Sequence, residues 1–270
     1  MGAVDCFSKQ NPHHSRRANS TQTMIYAVKT VCKRSTKAKS MTQLLISLIT
    51  AATLAAIIVP AKAQVPPTRQ ETAAYSGLLA AAAAGDAAGV SRLIAGGANV
   101  NVRDGYQRTP LHVATFAKQR DLITLLAKAG ADLNTQERDR YDAVTIASVA
   151  DDVETLRLLL KLGASAKAVT SRYDGTALIA AAHLGHDEVV KALIAAGAPL
   201  DHVNNLGWTA LIESIVLGNG GVRHIETLRA LVQAGANVNM ADRNRVSPLQ
   251  LARGRGYREM VQILEKAGAK

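Results

Sequence analysis

The fold class this sequence predicts is an all-α solenoid of six helix-turn-helix repeats, and two features that keep the same phase predict it. A glycine followed by alanine recurs at Gly97, Gly130, Gly163, Gly197, Gly235 and Gly268, at spacings of 33, 33, 34, 38 and 33 residues. Residues able to cap a helix recur at Ser76, Thr109, Asp142, Thr176, Thr209 and Ser247. A fixed period of this size marks a stack of small helical units rather than one closed core.

The stretch 176–198 shows what one unit contains. The Thr176 hydroxyl can accept from a free N–H in the first turn of a helix over 177–184, which Gly185-His186 ends. A second helix starts near Asp187-Glu188, whose charges suit the positive end of its dipole. Val189, Val190, Leu193 and Ile194 then form one apolar stripe, and Gly197 closes the helix because glycine turns left-handed without a Cβ clash. One such stripe cannot be buried alone. In a stack, Leu122, Leu125 and Leu126 meet Leu93 and Ile94 on one side and Leu158 and Leu159 on the other. Aromatic content is only 3%, as suits helices that approach closely through alanine, and no segment alternates long enough for a real sheet.

Thr109-Pro110-Leu111-His112-Val113-Ala114 resembles the ankyrin signature T-P-L-H-x-A, and the 33-residue step is the ankyrin period. The run 186–191 and the Gly-Ala-Asn-Val-Asn runs at 97–101 and 235–239 are similar to the rest of that consensus. The resemblance covers residues 76–270 and implies projecting β-hairpin-like loops between the repeats. Repeat three departs most from it, with Asp142-Ala143-Val144-Thr145 in place of T-P-L-H and Asp151-Asp152 in place of the Gly-His turn, so a local difference is expected there.

In chain order, residues 1–40 are a basic N-terminal extension without apolar periodicity. Arg16-Arg17 lies too far before the apolar block for a twin-arginine signal. Residues 41–63 read as a signal peptide, an apolar core from Leu44 to Val59 followed by Ala61-Lys62-Ala63 before the cleavage point. The alternative is an inner-membrane anchor through residues 44–61. Met1, Met24 and Met41 are all candidate starts, and the later two make the beginning of the chain an over-long gene start. The expected destination is therefore periplasmic or secreted. Residues 64–75, with Pro66-Pro67, read as an exposed linker. Residues 76–270 hold the six repeats, the first and last as caps. In repeat five, residues 217–225 account for the longer 38-residue step; three glycines there predict a loop between the helices, tolerant of losing about five residues.

The formal charge of +11 belongs mostly to the leader, because residues 64–270 keep 23 basic and 20 acidic side chains, a net of +3. That balance argues against nucleic acid as a partner. Both cysteines, Cys6 and Cys32, precede residue 64, so the remainder can form neither disulfide nor stray thiol. No metal site is expected: His183 and His186 are separated by a glycine that breaks the helix, and there is no Cys-His set. Asp151, Asp152 and Glu154 sit at a helix start, where carboxylates are structural. No nucleophile triad, phosphate loop or redox motif is present, which excludes the common enzyme classes and leaves no cofactor to place. In the family, His112 bonds the neighbouring hairpin.

The resemblance implies a protein partner held on a concave face by the first helices and the tips of the hairpins. The hairpin segments carry Tyr106, Arg108, Arg140, Tyr141, Arg172, Tyr173, Trp208, Arg243 and Arg245, with Arg138 beside them. Arginine and aromatic residues are enriched at interface anchors, so these are the candidate partner-binding residues; Trp208 could equally pack on the next hairpin. Tyr106, Arg108, Tyr141, Tyr173, Trp208 and Arg245 are expected to form one partner-contacting stripe along five successive hairpins. The chain is expected to be a monomer that touches a membrane only through its leader. The same fold also suits a secreted host-directed effector, or a periplasmic helper of an oxidative-stress enzyme such as catalase, which the resemblance raises and no residue establishes.

Overall fold

The protein is described here by a computed structural model covering residues 64–270; the leader expected over 41–63 lies outside the described residues. Thirteen helices and one two-residue strand pair make up the described part. A short α1 (Arg69–Ala73) precedes six helical hairpins: α2 (Gly77–Ala84) and α3 (Ala87–Ala95), α4 (Pro110–Phe116) and α5 (Arg120–Lys128), α6 (Ala143–Val149) and α7 (Val153–Lys161), α8 (Ala177–Leu184) and α9 (Asp187–Ala195), α10 (Ala210–Val216) and α11 (Val222–Gln233), α12 (Pro248–Arg255) and α13 (Arg258–Lys266). The strands β1 (Val169–Thr170) and β2 (Gly175–Thr176) pair antiparallel in the third inter-repeat loop.

Each inner helix (α2, α4, α6, α8, α10, α12) packs on the next inner helix, and the outer helices do the same, so the apolar stripes merge into one ribbon. Leu122, Leu126, Leu156, Leu159, Leu193, Leu228 and Leu231 are fully or almost fully buried along it. Five of the six expected caps accept from the third helical N–H: Thr109, Asp142, Thr176, Thr209 and Ser247. Ser76 makes no such bond. Five of the six inner helices end on a left-handed residue, supplied by Gly85, Gly185 and Gly256 but also by Lys118 and Asp151, whereas α10 ends on Leu217 at φ −100°. Repeat three therefore keeps the common turn. Its Asp151 takes φ 52°, and Asp152 caps α7 by accepting from Thr155 N at 3.1 Å.

Two expectations are corrected. The segment expected as an exposed linker keeps much of that exposure but is also docked on the first repeat: Thr68 and Glu71 form a capping box on α1, and Tyr75 Oη donates to Asp104 Oδ2 at 2.6 Å. The long step in repeat five is only partly a loop, since α11 has twelve residues where the other outer helices have nine. The loop that remains is packed. Tyr257 Oη donates to the Gly218 carbonyl at 2.9 Å, its ring covers Gly220, and the His224 ring fills the space beside Gly185 that a Cβ would need.

Candidate binding groove

Five fingers join successive repeats: residues 99–108, 132–141, 165–175, 199–208 and 237–246. At the base of each, a short acceptor side chain ties the tip: Asp104 and Asn204, for example, each accept from backbone N–H groups two and four residues ahead. The residue before the last carries a positive φ in every finger: Gln107, Arg140, Asp174, Gly207 and Arg245. Backbone bonds fix the first four side by side, Arg138 N to Tyr106 O, Ser171 N to Arg140 O and Asn205 N to Tyr173 O, each at 2.9 Å. Among the described residues no such bond joins fingers four and five; there the Arg243 stem lies over Gly207.

This geometry splits the expected stripe into two rows. Tyr106, Tyr173 and Leu206 occupy the exposed tips. Arg108, Tyr141 and Trp208 stand directly before the helix caps and turn inward. Arg108 is 1% exposed; its Nε donates to Asp104 Oδ2 at 2.7 Å, Nη2 to Glu71 Oε1 at 2.9 Å and Nη1 to the Val65 carbonyl at 3.3 Å. Burial opposes ionisation of Asp104, but bonds from Tyr75 and Arg108 outweigh it and hold the carboxyl below its ordinary range. Tyr141 is 9% exposed and belongs to the core. Neither Arg108 nor Tyr141 is an exposed partner anchor, because each fills the joint between its finger and a neighbouring element. Trp208 is half-buried.

Others of the candidate set are exposed but engaged. Tyr106 lies between the guanidiniums of Arg108 and Arg138, 4.6 and 4.9 Å from its ring centre. Arg140 Nη1 pairs with Asp174 Oδ1 at 2.7 Å and Arg172 Nη2 with Asp139 Oδ1 at 2.8 Å, stitching fingers two and three. Tyr173, Arg243 and Arg245 are exposed, and no such pair engages them among the described residues.

The inner helices add residues that composition alone did not single out. The position eight residues after each expected cap, at or just past the end of these helices, runs Ala84, Ala117, Ala150, Leu184, Leu217 and Arg255, all exposed. Leucine replaces alanine in repeats four and five, a signal visible once the repeats are aligned. Beside them, Glu213 is 4% exposed, accepts from Asn204 Nδ2 at 2.9 Å, and lies 3.3 Å from His183 Nδ1. Because Asn204 ties Leu206 N and Trp208 N, Glu213 braces finger four rather than offering a free carboxylate. His112 Nδ1 accepts from its own cap, Thr109 N, at 3.0 Å, and the buried ring faces the Thr135 and Tyr141 backbone of the next finger. No cluster of three metal-ligating side chains occurs among the described residues, and no described helix is long and apolar enough to cross a membrane.

A family profile described as ankyrin repeats, in three copies, matches residues 53–137 and 143–242. The chain belongs to the ankyrin-repeat family. The ankyrin repeat protein YahD of Escherichia coli (strain K12) is 34% identical over 192 residues, 71% of this chain and 95% of that protein. A solved ankyrin repeat domain from Acinetobacter baumannii AYE is 44% identical, with a TM-score of 0.69, over 72% of this chain and 98% of its own. The ankyrin repeat domain of Bcl-3 is 30% identical, with a TM-score of 0.66, over 73% and 88% respectively. Ankyrin repeats are a protein–protein interaction architecture and their members are generally non-catalytic.

Proposed function

We propose that this ankyrin-repeat chain is an exported, non-catalytic binding protein that holds a protein partner across its fingers and inner helices. The observation that carries the reading is the register of exposed apolar side chains at repeats four and five. Tyr173 and Leu206 rise on adjacent finger tips, and Leu184 and Leu217 end adjacent inner helices, all between 40% and 47% exposed. Exposed leucine and tyrosine cost solubility and contribute nothing to the core, so a partner that covers them explains their grouping. Export rests on the leader pattern ending in Ala61-Lys62-Ala63.

The test compares the full chain with a variant carrying Tyr173→Ala, Leu184→Asp, Leu206→Ala and Leu217→Asp as bait for proteins of the cell envelope. Exposed positions should each change stability within about 0.5 kcal/mol. Loss of true anchors should weaken capture about thirtyfold or more, as 2 kcal/mol implies. Equal capture by both baits rejects the groove. N-terminal sequencing of the protein outside the cytoplasm should begin at Gln64; a product retained in the membrane with residues 41–63 rejects export by cleavage.

A further inference from the structure

Residues 64–239 carry sixteen basic and seventeen acidic side chains, whereas residues 240–270 carry seven basic and only three acidic ones. The entire positive excess of the repeat domain therefore lies in the last repeat. Its three carboxylates are already occupied: Asp242 accepts from Asn244 N and Val246 N at the base of finger five, Glu259 pairs with Arg229, and Glu265 pairs with Arg253. Arg253 and Lys266 also sit in last turns, where cations suit the helix dipole. Four arginines remain exposed and, among the described residues, without a carboxylate within 4.0 Å: Arg243, Arg245, Arg255 and Arg258.

Their placement is not that of a diffuse solubilising cap. Arg243 and Arg245 stand on finger five, at the start of α12, while Arg255 ends α12 and Arg258 begins α13 just beyond the turn. Eight helical residues, about 12 Å, separate the two pairs, with half-buried Leu251 between them. Arg258 opens an outer helix, where a cation is disfavoured by the dipole. At the matching position of repeat two, Arg120 hands its charge to Asp152 of the following repeat at 2.8 Å. Among the described residues no carboxylate does the same for Arg258.

We infer that the last repeat is a docking surface for an acidic polypeptide segment, whose carboxylates pair with Arg243 and Arg245 on one rim and with Arg255 and Arg258 on the other. This rests on the binding function proposed above and gives its partner a chemistry: apolar side chains over repeats four and five, acidic ones over repeat six. A planar guanidinium suits bidentate pairing with carboxylate, and the roughly 12 Å between rims is crossed by about four extended residues. Nucleic acid fits less well, because the cluster is confined to one repeat while the rest of the domain is slightly acidic.

The experiment measures fluorescence anisotropy of a short fluorescein-labelled peptide of mixed glutamate and leucine titrated with the full chain. Saturable binding is expected, weakened at least tenfold by Arg243→Glu with Arg245→Glu and Arg255→Glu, and weakened by added salt, while a lysine-leucine peptide does not bind. Glutamine at the same three positions provides a second variant should charge reversal disturb folding. Absence of peptide binding, equal binding by both variants, or preferential binding of a single-stranded oligonucleotide or of phosphatidylglycerol vesicles overturns the inference. If the arginine variants keep envelope-partner capture while the leucine and tyrosine variant loses it, the acidic partner falls and the groove stands; if neither loses it, both fall.

Discussion

Burial pushes the His112 imidazole down from the ordinary 6.5 to about 4, and outweighs the Thr135 and Tyr141 backbone beside the ring, which favours the protonated form. A histidine that resists protonation when folded but not when unfolded lets the unfolded chain take up the proton first. Stability from this site is thus complete above about pH 6.5 and falls as pH drops towards 4, by up to about 3 kcal/mol. Buried Asp142, whose carboxyl is raised by burial, works in the opposite direction over acid pH, so the comparison must isolate His112. Repeat six supplies the control. There Gln250 takes the same position and completes its capping box by accepting from Ser247 N at 2.9 Å. His112→Gln should therefore keep the cap yet flatten the loss between pH 6.5 and 4, measured by urea unfolding at a series of pH values. Parallel curves for the two proteins would show that His112 is not what titrates.

At the scale of the element, four of the five fingers are tied to the following helix end by one side chain. Asn101, Asn134, Asp201 and Asn239 accept from the backbone N–H of Asp132, Ser165, Asn237 and Lys270 at 2.8 to 2.9 Å. The ladder skips one rung. Lys167 holds the acceptor position between repeats three and four, and the residue opposite is Pro199, which has no N–H to give. Lys167→Asn alone should stabilise little, whereas Lys167→Asn with Pro199→Asp should show a favourable coupling of about 0.5 to 1.5 kcal/mol in a double-mutant cycle. Zero coupling would mean the rung contributes nothing. Period, caps and core stripe are legible in the sequence because each depends on residues a few positions apart. The burial of Arg108 and Tyr141 is not, because it depends on what arrives from elsewhere: Glu71 and Val65 from 37 and 43 residues away in the first case, a neighbouring repeat in the second. The same holds for the candidate groove, where Tyr173, Arg243 and Arg245 follow from residue type, but Leu184 and Leu217 emerge only when equivalent positions of all repeats are placed side by side.

In the whole molecule, a stack of this kind is as cooperative as its weakest junction, since stability is close to a sum of repeats and nearest-neighbour interfaces. Fingers four and five lack the backbone bond that joins the others, so the last repeat is held mainly by helix packing and by the turn edge. That edge is where the extra residues of repeat five act. Arg223 pairs with Asp151 at 2.8 Å and with Asp187 at 3.1 Å, reaching back across two repeats, while Gly218 and Gly220 receive Tyr257 from the repeat ahead. Of the three glycines that suggest a dispensable loop, Gly218 and Gly220 stand where a side chain would collide with the His224 and Tyr257 rings respectively. Two effects can be separated by size. Arg223 is half exposed, so Arg223→Ala should cost no more than about 1 kcal/mol. Deleting residues 219–223, which restores the 33-residue step, removes the arginine, the Asn219 Oδ1 contact to His224 at 3.1 Å and the seat of the Tyr257 ring together. That deletion should cost about 2 kcal/mol or more and release the last repeat first, seen as early loss of hydrogen-exchange protection in α12 and α13 and a broadened denaturant transition. If the shortened chain instead unfolds in one transition at an unchanged midpoint, the insertion is a passive loop and the last repeat is held by helix packing alone.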